Sequence, residues 1–234
     1  MKTLVRLFML LLPAVLLLTN FATAATRETR AVAPFSEISL GGSSNVVLRQ
    51  GSPQKVEVEG EPDDLARLET VVEGKSLRIR RTSNNYQGRD YQHKITVYIT
   101  VADVNALSVS GSGTIKALTD IQSHNLSVSI SGSGDIMLPT MQADALDVAI
   151  SGSGSISVAG ICPRQEVRVS GSGSVQAGKL RSESCNIRIS GSGNAHVQAT
   201  KTLDARIAGS GNVYVTGNPR VSSTTAGSGR VHSS

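Results

Sequence analysis

A short phrase, Gly-Ser-Gly, recurs seven times in this chain of 234 residues at nearly constant spacing. Successive copies are separated by 21, 20, 19, 20, 18 and 18 residues. Repetition at a period of this length is typical of a solenoid, in which each repeat buries its apolar face only against its neighbours. The glycines that begin the seven copies are Gly111, Gly132, Gly152, Gly171, Gly191, Gly209 and Gly227.

Alternating apolar residues flank every copy of the motif. If the first glycine is numbered zero, positions −4 and −2 and positions +4 and +6 hold mainly Val, Ile, Leu and Ala. In the third copy these residues are Val148, Ile150, Ile156 and Val158. Period-two alternation rich in β-branched residues predicts a strand on each side of the glycines. A flexible Gly-Ser linker would not be framed in this way.

The segments between the flanking strands decide the predicted topology. They are too short for a crossover helix, and they show little of the alternation that an antiparallel return strand would need. We therefore predict an all-β fold, a right-handed parallel β-helix (β-solenoid) with coils of about 19 residues. An antiparallel β meander, in which every second strand carries the motif, is the alternative. The glycines at zero and +2 are in phase with the inward residues, so the coil must be narrow or bent there.

The serine between the two glycines is predicted to face outward. Position +1 is serine in all seven copies. Stacking at a strand spacing of about 4.8 Å would align these hydroxyl groups in a column roughly 29 Å long. This column is the candidate binding surface, and it consists of Ser112, Ser133, Ser153, Ser172, Ser192, Ser210 and Ser228.

The chain before the regular array divides into two parts. Residues 1–24 have a basic start, an apolar run and a final Ala-Thr-Ala, which together predict a cleaved signal peptide. Residues 25–104 begin with a degenerate copy of the motif at Gly42 and are predicted to cap the stack, protecting its open strand edge. Residues 105–234 are predicted to be the regular solenoid with its seven coils. Residues 25–234 would then form one continuous domain.

The sequence also predicts individual elements within the cap. Lys55 to Glu59 alternates as a short strand, and Pro62 with the acids after it marks the start of a short helix. Gly74 is placed as the turn of a hairpin, and Thr82 to Gln92 is a polar loop.

Composition and column patterns disfavour several functions. The formal net charge is +5, with no Trp and only three Phe, so the chain lacks the basic stripe and stacking platforms expected of a nucleic-acid reader. A polysaccharide-cleaving β-helix enzyme would need clustered carboxylates, yet position +3 offers a single acid, Asp135. His196 and His232 share column +5 but lie two coils, about 9.6 Å, apart, so they are predicted to be solvated rather than metal ligands. We therefore assign no catalytic residue, metal site or cofactor.

Two cysteines permit two interpretations. Cys162 and Cys185 lie 23 residues apart, close to one repeat, in a chain predicted to be exported. An oxidising compartment would allow a disulfide between neighbouring coils. Alternatively, both are small buried hydrophobic residues, and Cys185 does fall on an apolar position. The sequence leaves both interpretations open.

Several features in a fixed order indicate a family. A Phe35-x-x-Ile38 opening, a Val-Glu-Val-Glu-Gly stretch at 56–60 and a Leu77-x-Ile79 strand precede the Leu-x-Val-Ser-Gly-Ser-Gly array. This arrangement resembles the "putative autotransporter adhesin head domain" family, or GIN domain, over about residues 32–231. The resemblance implies an exported right-handed β-helical domain with an adhesin-like role and no accepted catalytic residues.

These observations together predict an exported, non-enzymatic module that binds in an adhesin-like manner or interacts with the envelope surface. Its partner would be an envelope component, a glycan or a protein, and not a nucleic acid. The predicted signal peptide places the protein in the periplasm, at the outer envelope or outside the cell, and the mature chain has no predicted transmembrane span. The alternative is a structural envelope protein that associates with itself as a homo-oligomer through its stack ends or its flat serine face.

Overall fold

A computed structural model describes residues 26–82 and 93–234, and this part of the chain forms a β-solenoid of about six turns. The predicted signal peptide and most of the predicted loop from Thr82 to Gln92 lie outside the described residues. One short helix, α1 (Pro62–Leu65), lies among the strands that are described. The strands are β1 (Thr26–Thr29), β2 (Glu37–Gly42), β3 (Asn45–Gln50), β4 (Lys55–Gly60), β5 (Leu68–Glu73), β6 (Ser76–Arg81), β7 (Thr96–Val101), β8 (Ala106–Gly111), β9 (Thr114–Ala117), β10 (Ile121–Gly132), β11 (Asp135–Gly152), β12 (Ser155–Ile161), β13 (Arg164–Gly171), β14 (Ser174–Gly191), β15 (Asn194–Gly209), β16 (Asn212–Thr216), β17 (Arg220–Gly227) and β18 (Arg230–Ser233).

Each regular coil presents three faces. Face A is formed by the segments that lead into the first glycine of each motif, and face B by the segments that follow the second glycine. Face C is the short return between face B and the next face A, where Ile121 pairs with Met141, for example, and Gly160 pairs with Leu180. Long strands such as β11, β14 and β15 continue around the corners from one face to the next.

The motif copies lie directly above one another. The first glycines pair in register from Gly42 through Gly111 to Gly227, and all pairings between the motif-bearing coils are parallel. The predicted parallel solenoid is therefore confirmed, and the antiparallel meander is wrong. The physical reason is the one that the sequence indicated, because each coil can bury its apolar residues only by stacking on an identical pattern.

The N-terminal end is more complex than the predicted cap. The degenerate copy at Gly42 does pair with Gly111, but β2 and β3 form the second layer of the stack. The outermost parallel layer is made by β6 and β7, which the chain reaches only later. Antiparallel strands β5, β4 and β1 then cover the edges of that layer. The hairpin at Gly74, the strand from Lys55 and the helix at Pro62 are confirmed.

The interior is a continuous apolar column. The inward residues of faces A and B, among them Val148, Ile150, Ile156 and Val158, are buried in one hydrophobic cluster that extends through the stack. Its cross-section is small, since each coil contributes only a few inward side chains. The regular period-two pattern of the sequence is therefore converted into a rigid rod with little room for variation inside.

The corner between faces A and B requires both glycines. Gly171 has φ +112°, and a Cβ placed on it would lie 2.6 Å from the carbonyl oxygen of Gly152 in the preceding coil. A Cβ on Gly173 would lie 2.5 Å from Cγ2 of Ile150 and 2.9 Å from the carbonyl oxygen of Gly154. The corner is thus bent, as one of the two predicted alternatives stated, and it is also crowded. The crowding acts along the stack, against the preceding coil.

Candidate functional site

The serine column lies on the outer edge of the corner between faces A and B. All seven serines at position +1 are exposed, and the glycine that precedes each of them is held in register with its counterparts. Their side chains therefore point to solvent from equivalent places in successive coils. At the usual separation of neighbouring strands the column is roughly 29 Å long.

Backbone hydrogen bonds fix this column to the stack. The N–H of Ser172 donates to the carbonyl oxygen of Gly152 over 2.9 Å, and Ser153 and Ser192 make the same bond to the preceding coil. Because the main-chain N–H of six of these serines, from Ser112 to Ser210, is used in this way, the hydroxyl is the polar group that they present to a ligand. A hydroxyl can donate one hydrogen bond and accept two. The column thus presents uncharged hydroxyl groups at fixed spacings, each of which can make weak hydrogen bonds to a ligand.

The cysteines lie in the interior, away from the serine column. Both Cys162 and Cys185 are buried, and both are free thiols, so the disulfide allowed by their spacing is not formed. The register explains this, because Cys185 pairs with Gln165 whereas Cys162 donates its N–H to the carbonyl oxygen of Arg181. Burial raises the pKa of both thiols, and it raises the pKa of Cys185 to about 12. Of the two interpretations, the structure favours small buried hydrophobic residues.

A ridge of ion pairs, which the sequence reasoning missed, runs along the outer surface of face A. Arg168 Nη1 lies 2.8 Å from Asp147 Oδ1, and its Nη2 lies 2.6 Å from Glu166 Oε1. Arg188 Nη1 contacts the same Glu166 oxygen at 2.7 Å. These carboxylates, first that of Asp147, hold the pKa of the Arg168 guanidinium above its ordinary value. The signal was available, since acids at position −5 and arginines at −3 recur in neighbouring repeats.

Two long grooves flank this ridge. The first, of about 740 Å³, lies between positions −7 and −5 and includes Arg164, Asp147 and Asn186 in its walls. The second, of about 790 Å³, lies between positions −3 and −1, next to the serine column, and includes Ser151 and Arg188. We call this second groove the face A groove. Both cross several coils, because side chains in register leave a continuous trough between neighbouring columns.

Column +5 on face B holds a stack of three rings near the C-terminal end. The ring centroids of His196 and Tyr214 are 4.5 Å apart, and those of Tyr214 and His232 are 4.9 Å apart, with nearly parallel planes. The histidines were predicted to be solvated, whereas each packs one ring face on the tyrosine. Stacking of this kind adds stability beyond area burial. Over residues 26–82 and 93–234, no group of three or more His, Cys, Asp or Glu side chains could hold a metal ion.

The described part of the chain is thus a parallel β-solenoid with an exposed, in-register column of serines at one corner. The chain belongs to the family described as "Putative auto-transporter adhesin, head GIN domain", whose model matches residues 34–219. This agrees with the resemblance inferred from the repeat. No curated protein matches the sequence. The family name points to an extracellular or envelope protein.

Solved structures share the fold. A protein from Bacteroides fragilis described as a putative adhesin is 21% identical, with a TM-score of 0.85, over 91% of this chain and 98% of that one. A putative adhesin from Parabacteroides distasonis is 22% identical, with a TM-score of 0.75 and the same coverage. A putative lipid binding protein from the same species is 23% identical, with a TM-score of 0.74, again over 91% and 98%. The names of the family and of these neighbours are those of binding proteins, not of enzymes.

Among the residues that the structure describes, none lies in a helix long and apolar enough to cross a membrane.

Proposed function

We propose that this protein is an exported, non-enzymatic binding module that presents the serine column to a ligand of the cell envelope or its surroundings. In this proposal residues 1–24 direct export and are removed. Residues 25–234 then act as one rigid domain in the periplasm, at the outer envelope or outside the cell. The ligand is a glycan, a protein or another envelope component.

One observation carries the proposal. Seven exposed serines stand in register at the outer edge of a rod whose hydrogen-bonded backbone holds them at fixed spacings. A rigid surface loses little conformational entropy on binding, so many weak contacts can add to a useful affinity. The adhesin name of the family supports the same role.

Substitution of the serine column tests the proposal. The triple variant Ser112→Lys, Ser153→Lys and Ser192→Lys adds three charges along the column without touching a buried residue. Capture of envelope components from an extract, or adhesion to cells or matrix, should fall at least tenfold, because bulky charged side chains displace the hydroxyl contacts.

The matched control places the same charges on another face. Met137→Lys, Ser157→Lys and Gln176→Lys occupy exposed positions of column +5 on face B. Circular dichroism should show an intact fold for both triple variants. If the two variants bind equally well, the serine column is not the ligand surface.

Self-association is the second candidate function. Its specific support is the N-terminal part of face A, where the small side chains of Ser108, Ser129, Ser131 and Ala149 are uncharged and at least partly exposed. Small, uncharged side chains allow close approach of two copies. Light scattering during size-exclusion chromatography distinguishes the candidates, because a strict monomer at high concentration contradicts assembly of this kind.

A further inference from the structure

The face A groove is a candidate binding site separate from the serine column. Its walls are columns −1 and −3 on the outer surface of face A, and it extends from Ser108 and Ser110 at one end to Thr224 and Ala226 at the other. The floor is the backbone at position −2, where residues such as Ile150 point into the core. Seven coils contribute, so the groove is roughly 29 Å long, and its two walls lie two residues, about 7 Å, apart along each strand.

The lining of the groove is largely apolar. The N–H and C=O groups of its floor are used in the parallel ladder between coils, so they are not offered to a ligand. The wall at position −1 is made of short serine and alanine side chains, and the wall at −3 includes the alkyl stems of Arg168, Arg188 and Arg206. Among the described residues that line it, none is aromatic, although sugar rings commonly stack on aromatic side chains. A straight, narrow trough of this kind fits one extended hydrocarbon chain better than a polysaccharide.

Arginines that are only partly engaged by carboxylates lie along one wall. The Arg168 guanidinium is engaged by two carboxylates, but Arg188 has a single contact of 2.7 Å, to Glu166. Arg206 Nε lies 3.6 Å from Asp204 Oδ1, which is longer than a hydrogen bond. The carboxylates are in column −5, on the side of the arginines away from the groove. Arg188 and Arg206 therefore have N–H donors available to an anion in the groove.

We propose that the face A groove binds a long-chain fatty acid. The carboxylate accepts charge-assisted hydrogen bonds from Arg188 and Arg206, a pairing that guanidinium geometry favours. The hydrocarbon tail lies along the groove, past Ser170 and Ser151 toward Ser110. From the coil of Arg206 to that of Ser110 is five steps, about 24 Å, which accommodates the extended tail of palmitate.

Fluorescence titration of the purified protein with a dansyl-labelled long-chain fatty acid tests this proposal. We expect saturable one-to-one binding and displacement by palmitate. Affinity should rise roughly twofold for each methylene between octanoate and palmitate, because a tail in an open groove gains about half the free energy of full burial. Hexadecanol, which has the tail but lacks the carboxylate, should bind about tenfold more weakly.

Two variants and a matched control locate the site. Ala208→Glu adds bulk and negative charge to the groove wall beside Arg206, and it should weaken binding of the labelled fatty acid at least tenfold. Arg206→Gln leaves the groove open but removes one cation, so it should weaken palmitate about fivefold and leave hexadecanol unchanged. Ser157→Glu adds the same charge as Ala208→Glu at an exposed position on face B, and it should change the affinity less than twofold.

Three results would overturn the inference. They are the absence of saturable binding, equal effects of Ala208→Glu and Ser157→Glu, and displacement of the probe by a linear polysaccharide but not by palmitate. None of them bears on the serine column, since the Ser112, Ser153 and Ser192 variant is measured with envelope ligands. Loss of fatty-acid binding and loss of adhesion are therefore distinguishable.

Discussion

Replacement of one corner glycine by alanine gives the most direct test of why the motif repeats. Gly171 lies near the middle of the array, with φ +112° and with the carbonyl oxygen of Gly152 2.6 Å from the place where a Cβ would stand. Gly171→Ala thus introduces two faults at once. It forces an L residue into a backbone region reserved for glycine, and it pushes apart two coils that hydrogen bond to each other.

The expected loss of stability follows from these two faults. Backbone strain in such a region costs about 1–3 kcal/mol, and insertion of a methyl group into a packed site costs about 1–3 kcal/mol. Alanine also stiffens the unfolded chain, which returns about 0.4–1 kcal/mol. Gly171→Ala should therefore lower the free energy of unfolding by about 1–5 kcal/mol.

Substitutions at two other glycines separate the effect of backbone strain from the effect of crowding. Gly42 has φ +88° but no atom within 4 Å of its virtual Cβ, so Gly42→Ala carries strain without crowding and should cost about 1–2 kcal/mol. Gly173 is crowded by Ile150 without a left-handed φ, so Gly173→Ala should cost about 1–3 kcal/mol. Ser172→Ala is the matched control at the exposed position between the two corner glycines, and it should be nearly neutral.

Urea unfolding followed by far-UV circular dichroism measures these differences, since the sequence has no Trp to serve as a fluorescent probe. With a slope of about 2 kcal/mol per molar, the midpoint for Gly171→Ala should fall by about 0.5–2.5 M. The dependence of the unfolding free energy on urea concentration should be the same for all variants. A changed slope would indicate that parts of the repeat array unfold separately. The reasoning is refuted if Ser172→Ala is as destabilising as Gly171→Ala, or if Gly171→Ala costs no more than Gly42→Ala.

Three further predictions concern the core, the ring stack and the thiols. Ile187→Ala removes a fully buried side chain from the narrow core and should cost about 2–5 kcal/mol of unfolding free energy, and a loss below about 1 kcal/mol in urea would contradict such tight packing. Tyr214→Ala breaks both ring contacts of a half-exposed stack and should cost about 1 kcal/mol, measurable as a lower urea midpoint. Because burial raises the pKa of Cys162 and Cys185, neither thiol should react with iodoacetamide in the native protein at pH 8, whereas mass spectrometry should find both alkylated in guanidinium chloride. Rapid native alkylation would show that the interior opens there.

The regular part of the fold was predictable because every copy carries the same local information. Alternation around Gly152 specified which side chains face inward, and seven copies at one spacing specified stacking. The N-terminal layers were not predictable to the same depth. The sequence around Gly42 does not predict that the strands beginning at Ser76 and Thr96 form the layer beyond it. The order of these layers depends on the edge of the sheet to which the chain returns.

The candidate sites likewise include features that the sequence predicts and features that only the structure shows. Exposure of the serines followed from their phase, whereas the ion pair of Arg168 with Asp147 joins residues 21 positions apart that only the register brings within contact. The grooves beside that ridge exist only once several coils are aligned. The stacking of His196 on Tyr214 likewise could not be predicted, because sharing a column does not determine how the two rings are oriented.

By itself the sequence determined a stacked β rod, its inward and outward residues, its glycine corners and its family, because these follow from a local period repeated many times. The tertiary structure alone decided the layer order at the N-terminal end, the free state of both cysteines, and the ridge and grooves on face A. Those features depend on distances between separate coils, and such distances are set by how the whole stack packs.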